Sequence, residues 1–397
     1  MRKVYLDHSA TTPSDRRVVE AMLPYLAEKF GNASSVHSFG QEARAAIDRA
    51  RRQVAAFVGA RANEIVFTSG GTEANNLAIR GICGAAQPDG KHIITSAIEH
   101  PSVRSSIQSL EQRGWEATQL PVYDDGLVRF EDVRAALRPD TILISVMMAN
   151  NEIGTIQPIA EIGELVREER ERGHRHLWLH TDAVQAAGRV PIDVESLGCD
   201  LLSLSAHKIY APKGAGALFV RKGVGLIPQQ VGGHQERERR GGTEAAANIV
   251  AFGAAAELAQ REMPERNAHT GRLRDRFEKQ VAENVGEIVF NGSREQRLPH
   301  LSNISFRFIE GEGLLIHLDL QGVAVSSGSA CSSGTLEPSP VIQALGRDDE
   351  LARGSIRFSF GKDNTDEDVE YVLDVLTRAV ESLRKLSPLA KDSLAVA

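Results

Sequence analysis

Short runs of β-branched and other apolar residues alternate with longer stretches of helical periodicity as far as Arg261. Six short runs predict strands, at Glu64–Thr68, His92–Thr95, Thr141–Met147, His176–His180, Asp200–Leu204 and Ala217–Arg221. The longer stretches predict helices, at Gln41–Val58, Glu73–Gly81, Ile159–Arg172 and Ala245–Arg261. Because strands that alternate with helices build helix-covered parallel sheets, this pattern predicts an α/β domain with a largely parallel sheet.

The alternation weakens at Arg261–His269, where the sequence becomes polar, and we place a domain boundary there. The elements predicted beyond it are a helix, a strand pair around Ile304–Phe308, a strand at Ser355–Phe360 and a last helix at Asp366–Leu386. This mixture indicates a smaller α+β domain. We therefore expect a large domain of residues 15–262 and a small domain of residues 1–14 and 263–397.

The chain has 397 residues, of which 42% are hydrophobic and 25% charged, which is typical of a globular protein with a sizeable core. Its net charge of −7 argues against a general nucleic-acid surface, and we expect no direct contact with nucleic acid. No apolar run is long enough to span a membrane or to form a signal peptide. We therefore expect a cytoplasmic protein, in which the charged run Glu161–Arg175 is a solvated helix and loop.

The three cysteines are too few and too scattered for a disulfide framework, and they lack the spacing of a zinc site. We therefore expect no metal centre, and we interpret Cys83 and Cys199 as structural. Cys331 lies in a run of small residues, SSGSACSSG, which has no apolar periodicity and cannot fill a core. This context predicts an exposed thiol on a mobile loop, which suits a nucleophile that reaches a bound substrate and then delivers its cargo elsewhere.

Polar side chains follow five of the predicted strands at the points where the strands end. They are Ser69–Thr72, Glu99 with His100, Asn150–Glu152, Asp182 with Gln185, and Ser205–Lys208. In open parallel sheets, ligands bind at the carboxyl ends of the strands. We therefore expect these groups to converge on one site.

The turn Ser69–Thr72 leads from a strand into a helix. Gly70 and Gly71 let the backbone approach a ligand closely, Thr72 is predicted to cap the helix, and free N–H groups at a helix N-terminus suit a phosphate. A plain strand–helix connection can have the same sequence, so the turn alone leaves both interpretations open. It is not a nucleotide-binding P-loop, because no Gly-Lys-Ser/Thr follows.

Three titratable residues at other strand ends suggest a chemistry for the site. Asp182 must be paired if it is buried, either as a helix N-cap or with the protonated nitrogen of a pyridine ring. Lys208 is either a solvated strand end or a Schiff-base lysine whose pKa is lowered by desolvation. His100 is either polar surface or a residue that stacks on a cofactor ring and moves protons. Together these residues indicate a site of the pyridoxal-phosphate type.

Over nearly its whole length the chain resembles the NifS/IscS-type cysteine desulfurases, which are class V, fold-type I enzymes dependent on pyridoxal phosphate. The resemblance is carried by the ordered motifs VYLDHSATTP, FGNASSVHSFGQEAR, TSGGTEANN, EHPSV, ANNEIGTIQPI, HTDAVQAAG, SAHKIYAPKGAGAL, GGHQERERRGGTE, SSGSACSSGTLEP and SIRFSFGK. It implies a large domain with a mostly parallel seven-stranded sheet, a smaller α+β domain, bound pyridoxal 5′-phosphate and a homodimer. The sequence departs from the family pattern at Ala33, where proline is usual, and at Lys362, where arginine is common.

The resemblance also implies roles for individual residues. Lys208, His100 and Cys331 are the catalytic residues, of which Cys331 forms a persulfide. The cofactor-binding residues are Gly71, Thr72, Asn151, Asp182 at the ring nitrogen, Gln185 at the ring hydroxyl, Ser205, His207, Lys208 and Thr243, the last at the phosphate in the partner subunit. The substrate-binding residues are Asn32, His37, Asn151 and Arg357.

The implied reaction converts L-cysteine to L-alanine and leaves a persulfide on Cys331, which passes to acceptors such as an iron–sulfur scaffold, or to thio-cofactor or tRNA synthesis. A selenocysteine lyase would share the fold and most of these residues, and turnover of the two amino acids separates the alternatives. A non-catalytic sulfur-relay or scaffold relative would lack the yellow cofactor absorbance, and the joint presence of Lys208, Asp182 and Cys331 argues against it. A Ser-x-x-Lys hydrolase matches only the spacing of Ser205 and Lys208, because its Lys-Thr-Gly and Ser-Asp-Asn partners are missing.

Overall fold

The computed structural model describes residues 2–86, 90–327 and 338–388. The strands in these ranges are β1 (Val4–Tyr5), β2 (Ile65–Thr68), β3 (His92–Ser96), β4 (Glu116–Leu120), β5 (Thr141–Ser145), β6 (Trp178–Asp182), β7 (Leu201–Ser205), β8 (Gly216–Val220), β9 (Ile288–Phe290), β10 (Leu301–Phe306), β11 (Val323–Ala324) and β12 (Ser355–Ser359).

The helices in the same ranges are α1 (Arg16–Met22), α2 (Pro24–Ala27), α3 (Ser38–Phe57), α4 (Gly71–Ala85), α5 (Pro101–Glu111), α6 (Phe130–Ala136), α7 (Ile159–Glu171), α8 (Val194–Leu197), α9 (Ala246–Asn284), α10 (Gly311–Leu320), α11 (Pro340–Ala344), α12 (Asp349–Arg353) and α13 (Asp366–Leu386). Short 3-10 turns occupy Ala62–Glu64, Ala206–Lys208 and Gln235–Glu238. None of the helices in the described part of the chain is both long enough and apolar enough to cross a membrane.

A seven-stranded sheet lies at the centre of the fold, with the strand order β2-β8-β7-β6-β5-β3-β4. Strands β3, β4, β5, β6 and β7 pair in parallel, whereas β8 runs antiparallel to both of its neighbours. The mostly parallel seven-stranded sheet that the sequence predicts is therefore confirmed. The carboxyl ends of the parallel strands lie along one edge, where the polar residues are expected to meet.

Six of the seven strands coincide with predicted strands, and their ends differ by one or two residues. Strand β4 was not predicted, because its sequence EATQL lacks the β-branched and apolar enrichment on which the strand predictions rest. Its residues are mostly exposed or half-buried, as expected for a strand at the sheet edge. Pairing with β3 supplies the order that its composition does not predict.

Both faces of the central sheet are buried, because alternate residues of its strands enter different apolar clusters. Phe67, Leu202 and Leu204 belong to the larger cluster, with the apolar sides of α3, α7 and α9. Val66 and Leu201 belong to a second cluster, with α4 and α5. Burial of both faces of the sheet explains why the strand sequences are continuous apolar runs.

A second region contains the antiparallel sheet β12-β10-β9 and the parallel pair β1-β11. Its apolar cluster includes Leu6, Phe306, Phe358 and Leu376, drawn from the N-terminal segment and the last part of the chain. The final helix α13 occupies the predicted range Asp366–Leu386. The division of the chain into residues 15–262 and the remainder stays a prediction.

Helix α9 runs without interruption through the interval Arg261–His269, so the predicted helix end near Arg261 is wrong. Pro264 lies inside the helix, and the polar residues around it are carried on a helical surface and do not form a linker. Phe252 on the N-terminal part packs in the large apolar cluster, whereas Phe277 on the C-terminal part packs in the cluster of the second region. One helix thus contributes to two cores.

The charged run Glu161–Arg175 forms most of α7 and the loop after it, as predicted. Its apolar residues Ile162, Leu165 and Val166 are buried, and most of its charged residues face solvent. Arg170 is an exception, because its guanidinium pairs with the buried carboxylate of Asp200 at 2.5 Å. The run therefore attaches a solvated helix to the end of the sheet opposite to the polar strand ends.

Candidate active site

The carboxyl ends of β6 and β7 bring an acid and an amine to one edge of the sheet. Asp182 is the last residue of β6, Ser205 is the last residue of β7, and Lys208 closes the 3-10 turn that follows β7. His100 comes between β3 and α5, and its pKa is lowered mainly by burial, with Asp182 raising it and Lys208 lowering it. These three charged or titratable groups therefore lie within electrostatic reach of one another.

The Gly70-Gly71 turn packs closely against the ends of β7 and β8. A Cβ atom added to Gly71 would lie 2.8 Å from Val184 Cγ2 and 3.5 Å from Ser205 Cβ. Helix α4 begins at Gly71, its N-cap is Gly70, and no side chain caps it, so the predicted capping role of Thr72 is wrong. The first N–H groups of α4 are thus left for a ligand, which favours a phosphate at this turn.

His207 is fixed by the N-terminal segment of the chain. Its Nδ1 lies 3.0 Å from Thr11 Oγ1, and its carbonyl oxygen accepts a hydrogen bond of 2.8 Å from Thr12 Oγ1. Burial, and then the positive charge of Lys208, lower the pKa of His207 to about 4. The imidazole is therefore neutral at physiological pH and offers a fixed polar group beside Ser205.

The Lys208 ammonium group contacts main-chain oxygens of the same N-terminal segment. Its Nζ donates to the carbonyl oxygens of Ser9 and Ala10, the second at 2.8 Å. The Ser9 carbonyl also accepts a hydrogen bond of 2.9 Å from Gln185 Nε2. These carbonyl contacts were not predicted, because main-chain groups carry no signal in the sequence.

The Asp182 carboxylate is buried and is held by uncharged donors. One oxygen accepts from the Val184 main-chain N–H at 2.9 Å, and the other accepts from Asn75 Nδ2 at 2.7 Å. No helix begins after Asp182, which removes the N-cap alternative. Both of these donors are uncharged, so neither hydrogen bond neutralises the carboxylate, which suits a cationic ligand.

His100 is oriented by the start of α5. Its Nδ1 accepts a hydrogen bond of 3.1 Å from the Ser102 N–H and lies 2.8 Å from Ser102 Oγ. The Ser102 hydroxyl in turn accepts from Asn75 Nδ2 at 2.9 Å. Ser102 and Asn75 were not predicted as site residues, although both lie in motifs that carry the family resemblance.

Two buried carboxyl groups, those of Glu99 and Glu152, lie near the strand ends. Glu99 Oε1 accepts from Ser96 Oγ at 2.5 Å and from Met147 N at 2.8 Å, which joins the ends of β3 and β5. Burial raises the pKa of Glu99 to about 8, and burial also raises the pKa of Glu152. Glu99 is therefore largely protonated at neutral pH and adds little charge to the site.

Arg357 approaches the site from β12 in the second region. Its guanidinium donates to the Asn151 carbonyl oxygen and to Asp7 Oδ1, both at 2.8 Å. The structure thus brings together the predicted substrate residues Arg357 and Asn151, and it adds Asp7, which was not predicted. Ser326 pairs with Arg357 through main-chain hydrogen bonds, so the described chain reaches the predicted thiol loop beside this arginine.

Two predicted residues, Asn32 and His37, form hydrogen bonds within their own segment of the chain. Asn32 Oδ1 accepts from Ser34 N, and His37 caps α3. Thr243 is exposed after the turn Gln235–Glu238. Cys331 lies outside the described residues.

Of the other two cysteines, Cys83 lies in α4 and Cys199 lies shortly before β7. Cys83 and Cys199 are buried, as predicted, and burial raises the pKa of the Cys199 thiol to about 12. Both thiols are therefore unreactive at physiological pH. In the part of the chain that the structure describes, no group of three or more His, Cys, Asp or Glu residues is placed to hold a metal ion.

The arrangement fits pyridoxal phosphate. A buried carboxylate held by uncharged donors suits a protonated ring nitrogen, the uncapped start of α4 suits a phosphate, and Lys208 supplies an amine directly after β7. Asp182, Gly71, Ser205, His207 and Lys208 would hold the cofactor.

Comparisons with known proteins identify the family. The model of the family described as Aminotransferase class-V matches residues 4–372. The chain is 52% identical to a protein of Dictyoglomus turgidum named cysteine desulfurase IscS, over 98% of this chain and 97% of that protein. It is 51% identical to a protein of the same name from Methanosarcina thermophila, over 98% and 94% of the two chains.

Solved structures show the same relationship. A structure titled NifS-like protein superposes with a TM-score of 0.90 at 35% identity and covers 96% of this chain and 100% of that chain. A structure titled SspA in complex with cysteine superposes with a TM-score of 0.80 at 35% identity, over 91% of this chain and 100% of that chain.

Proposed function

We infer that this chain, which belongs to the class V aminotransferase family, is a pyridoxal-phosphate-dependent cysteine desulfurase. It removes sulfur from L-cysteine, and L-alanine is the second product. The observation that carries the inference is the meeting of Lys208, Asp182 and His100 at the carboxyl ends of the parallel strands. No observation favours the selenocysteine lyase or the non-catalytic relative.

Pyridoxal phosphate, when bound, supplies an electron sink that labilises bonds around the α- and β-carbons of an amino acid. Lys208 would hold the cofactor through Nζ, and after release it would move protons together with His100. Asp182 would keep the ring nitrogen protonated, because the Asn75 amide and the Val184 N–H that donate to it are uncharged. Gln185 would donate to the ring hydroxyl.

The phosphate would be held by main-chain N–H groups of the Gly71 turn and by Thr72, Ser205 and His207. The close packing of Gly71 against Ser205 supports this set, since it places the start of α4 beside the end of β7. Thr243 would reach the phosphate in the partner subunit. A neutral His207 suits this role because it can donate or accept without adding charge.

Arg357 and Asn151 would bind the α-carboxylate of cysteine, with Asn32 and His37 nearby. The position of Arg357, buried and within hydrogen-bond distance of Asn151, supports this assignment. The Asp7 carboxylate already pairs with the guanidinium, so a substrate carboxylate would share or replace that contact.

Cys331 would attack the sulfur of the bound substrate as a thiolate. A sulfur–sulfur bond forms, the electrons of the carbon–sulfur bond return to carbon, and that carbon takes a proton before alanine leaves. The persulfide would then pass to an acceptor, such as an iron–sulfur scaffold protein. The small-residue sequence around Cys331 supports the assignment, because it suits a thiol that must travel between two partners.

We also propose a cytoplasmic homodimer. Five exposed apolar side chains from the end of α1 to the start of α3 support dimerisation, because clustered exposed apolar residues mark interaction surfaces. They are Leu23, Leu26, Phe30, Val36 and Phe39, of which Val36 is 89% exposed.

Incubation with L-cysteine tests the function. Alanine should accumulate, and one sulfur atom should be added to the peptide that contains Cys331. The peptides of Cys83 and Cys199 provide an internal control, since these buried thiols should stay unmodified. Cys331→Ala should keep the bound cofactor and lose the persulfide.

A Cys331→Ala protein that desulfurates cysteine at the native rate would show that another residue receives the sulfur. Retention of native alanine formation without any bound pyridoxal phosphate would remove the proposed reaction class.

A further inference from the structure

A chain of hydrogen bonds joins His100 to Asp182 behind the strand ends. His100 Nδ1 lies 2.8 Å from Ser102 Oγ, Ser102 Oγ lies 2.9 Å from Asn75 Nδ2, and Asn75 Nδ2 lies 2.7 Å from Asp182 Oδ2. The members come from α5, α4 and β6. We call Asn75 and Ser102 the relay.

The donors and acceptors of the relay have one consistent direction. Asn75 uses its amide nitrogen for both contacts, and that group carries two protons, so it donates to Ser102 Oγ and to Asp182 Oδ2. Ser102 Oγ therefore has its own proton left for His100 Nδ1, which also accepts from the Ser102 main-chain N–H. A nitrogen that accepts both contacts carries no proton, so neutral His100 has its proton on Nε2.

The relay is buried among apolar residues, where a polar group lowers the stability of the fold unless it is hydrogen-bonded. Asn75 is 1% exposed, and its neighbours Ala74, Leu77 and Ala78 belong to the apolar cluster between α4 and the sheet. Asn75 Oδ1 is buried and has no hydrogen-bond partner within the described residues. An apolar side chain would suit this position better for stability alone, which points to a role in the site.

We propose that Asn75 is a positioning residue that fixes the Nε2–H form of His100 through Ser102 and at the same time orients the Asp182 carboxylate. The Asn75 amide thereby fixes the orientation of both His100 and Asp182, which are expected to contact opposite parts of the cofactor. This inference rests on the proposed function for the roles of His100 and Asp182, and it adds Asn75 and Ser102 to the residues that control the reaction.

The test compares holoenzymes with substitutions at each relay position. Asn75→Leu should lower kcat for cysteine by about 10-fold to 100-fold with little change in KM, because orientation and not binding is lost. Asn75→Asp should in addition raise the midpoint pH at which the visible absorption of the bound cofactor changes, since a second carboxylate beside Asp182 favours protonated forms.

Ser102→Ala separates the two ends of the relay. It removes the hydroxyl contact to His100 but leaves the Asn75–Asp182 hydrogen bond, so kcat should fall while the absorption midpoint stays native. Asn284→Leu and Asn284→Asp are matched controls, because Asn284 is exposed at the end of α9 and bonds only to Gln280 of its own helix. Both controls should keep the native kcat and midpoint.

A native absorption midpoint in cofactor-loaded Asn75→Asp, or a native kcat in Ser102→Ala, would overturn the proposal. If the Asn75 variants do not fold, Ser102→Ala still decides the His100 arm. The absorption midpoint is measured without substrate, so its shift reports on the relay even if native protein fails to turn over cysteine, and that failure would refute only the proposed function.

Discussion

The floor and the wall of the candidate site balance charge in opposite ways. The floor, formed by Asn75, Ser102 and Asp182 at the end of the central sheet, surrounds a carboxylate with neutral donors. The wall, formed by Asp7 and Arg357 in the second region, closes a cation and an anion on each other at 2.8 Å. The floor therefore meets its carboxylate with uncharged donors, whereas the wall meets its arginine with an opposite charge.

This difference teaches how a site can hold one molecule permanently and another briefly. A buried Asp182 carboxylate that accepts from uncharged donors is stabilised when a cationic ring arrives, which favours tight retention of a cofactor. An Arg357 that already has a partner gains less from a second carboxylate, which favours reversible binding of a substrate. The floor is thus suited to the cofactor and the wall to the amino acid.

Replacement of Lys208 should have the largest effect, because this residue joins the floor to the N-terminal segment. Lys208→Ala removes the amine that would hold the cofactor, and alanine formation should fall to background. Lys279→Ala, on the exposed side of α9, should keep the native rate. If Lys208→Ala turned over cysteine at the native rate, the cofactor would have to bind at another site, and the comparison of floor and wall would no longer apply.

Substitutions in the wall should change KM and leave kcat less affected. Arg357→Lys loses the forked donor geometry and should raise KM for cysteine by roughly tenfold. Asp7→Asn keeps an acceptor for Arg357 but removes the competing charge, so KM should fall by about threefold. Steady-state kinetics at constant ionic strength measure both effects. A rise in KM for Asp7→Asn would mean that Asp7 positions the arginine and does not compete with substrate.

The smallest expected effect is on stability and concerns Glu99, which supports the floor. Burial raises its pKa from the ordinary value of 4.5 to about 8, so between these values the native state holds a proton that the unfolded chain releases. The stability contributed by this group therefore falls as the pH rises from 4.5 to about 8.

Glu99→Gln removes this titration. Its midpoint of thermal unfolding should exceed that of the native protein by a few degrees more at pH 8 than at pH 5, in scans at one fixed rate. Glu111→Gln, on the exposed side of α5, should show no such difference. An equal gap at both pH values would mean that Glu99 is ionised in the folded protein.

Within the floor, Asp182 could be predicted from the sequence, because a charged residue interrupts an apolar pattern there. Asp182 and Lys208 directly follow hydrophobic strands, where only a site or a solvated end explains them. Asn75 has no such signal, because one polar residue inside a helix is ordinary. Ser9 acts through its carbonyl oxygen, which every residue possesses.

The secondary structure shows the same limit on what could be predicted from the sequence. Buried strands were predicted from their apolar runs, whereas the edge strand β4 was missed because its polar sequence depends on pairing with β3. Thr72 was predicted as a helix cap from residue type, but the helix begins one residue earlier at Gly71. The end of α9 was placed near Arg261 because periodicity weakens when a helix changes the core against which it packs.

Helix α9 also has a consequence for how the molecule unfolds. Its two parts are anchored by Phe252 and Phe277 in different cores, and the helix continues across the interval between them, where Pro264 lacks one backbone donor. Fraying of either core removes the support of the adjoining helical turns, and helix formation is cooperative along the chain. We therefore expect the two cores, which α9 joins, to unfold together.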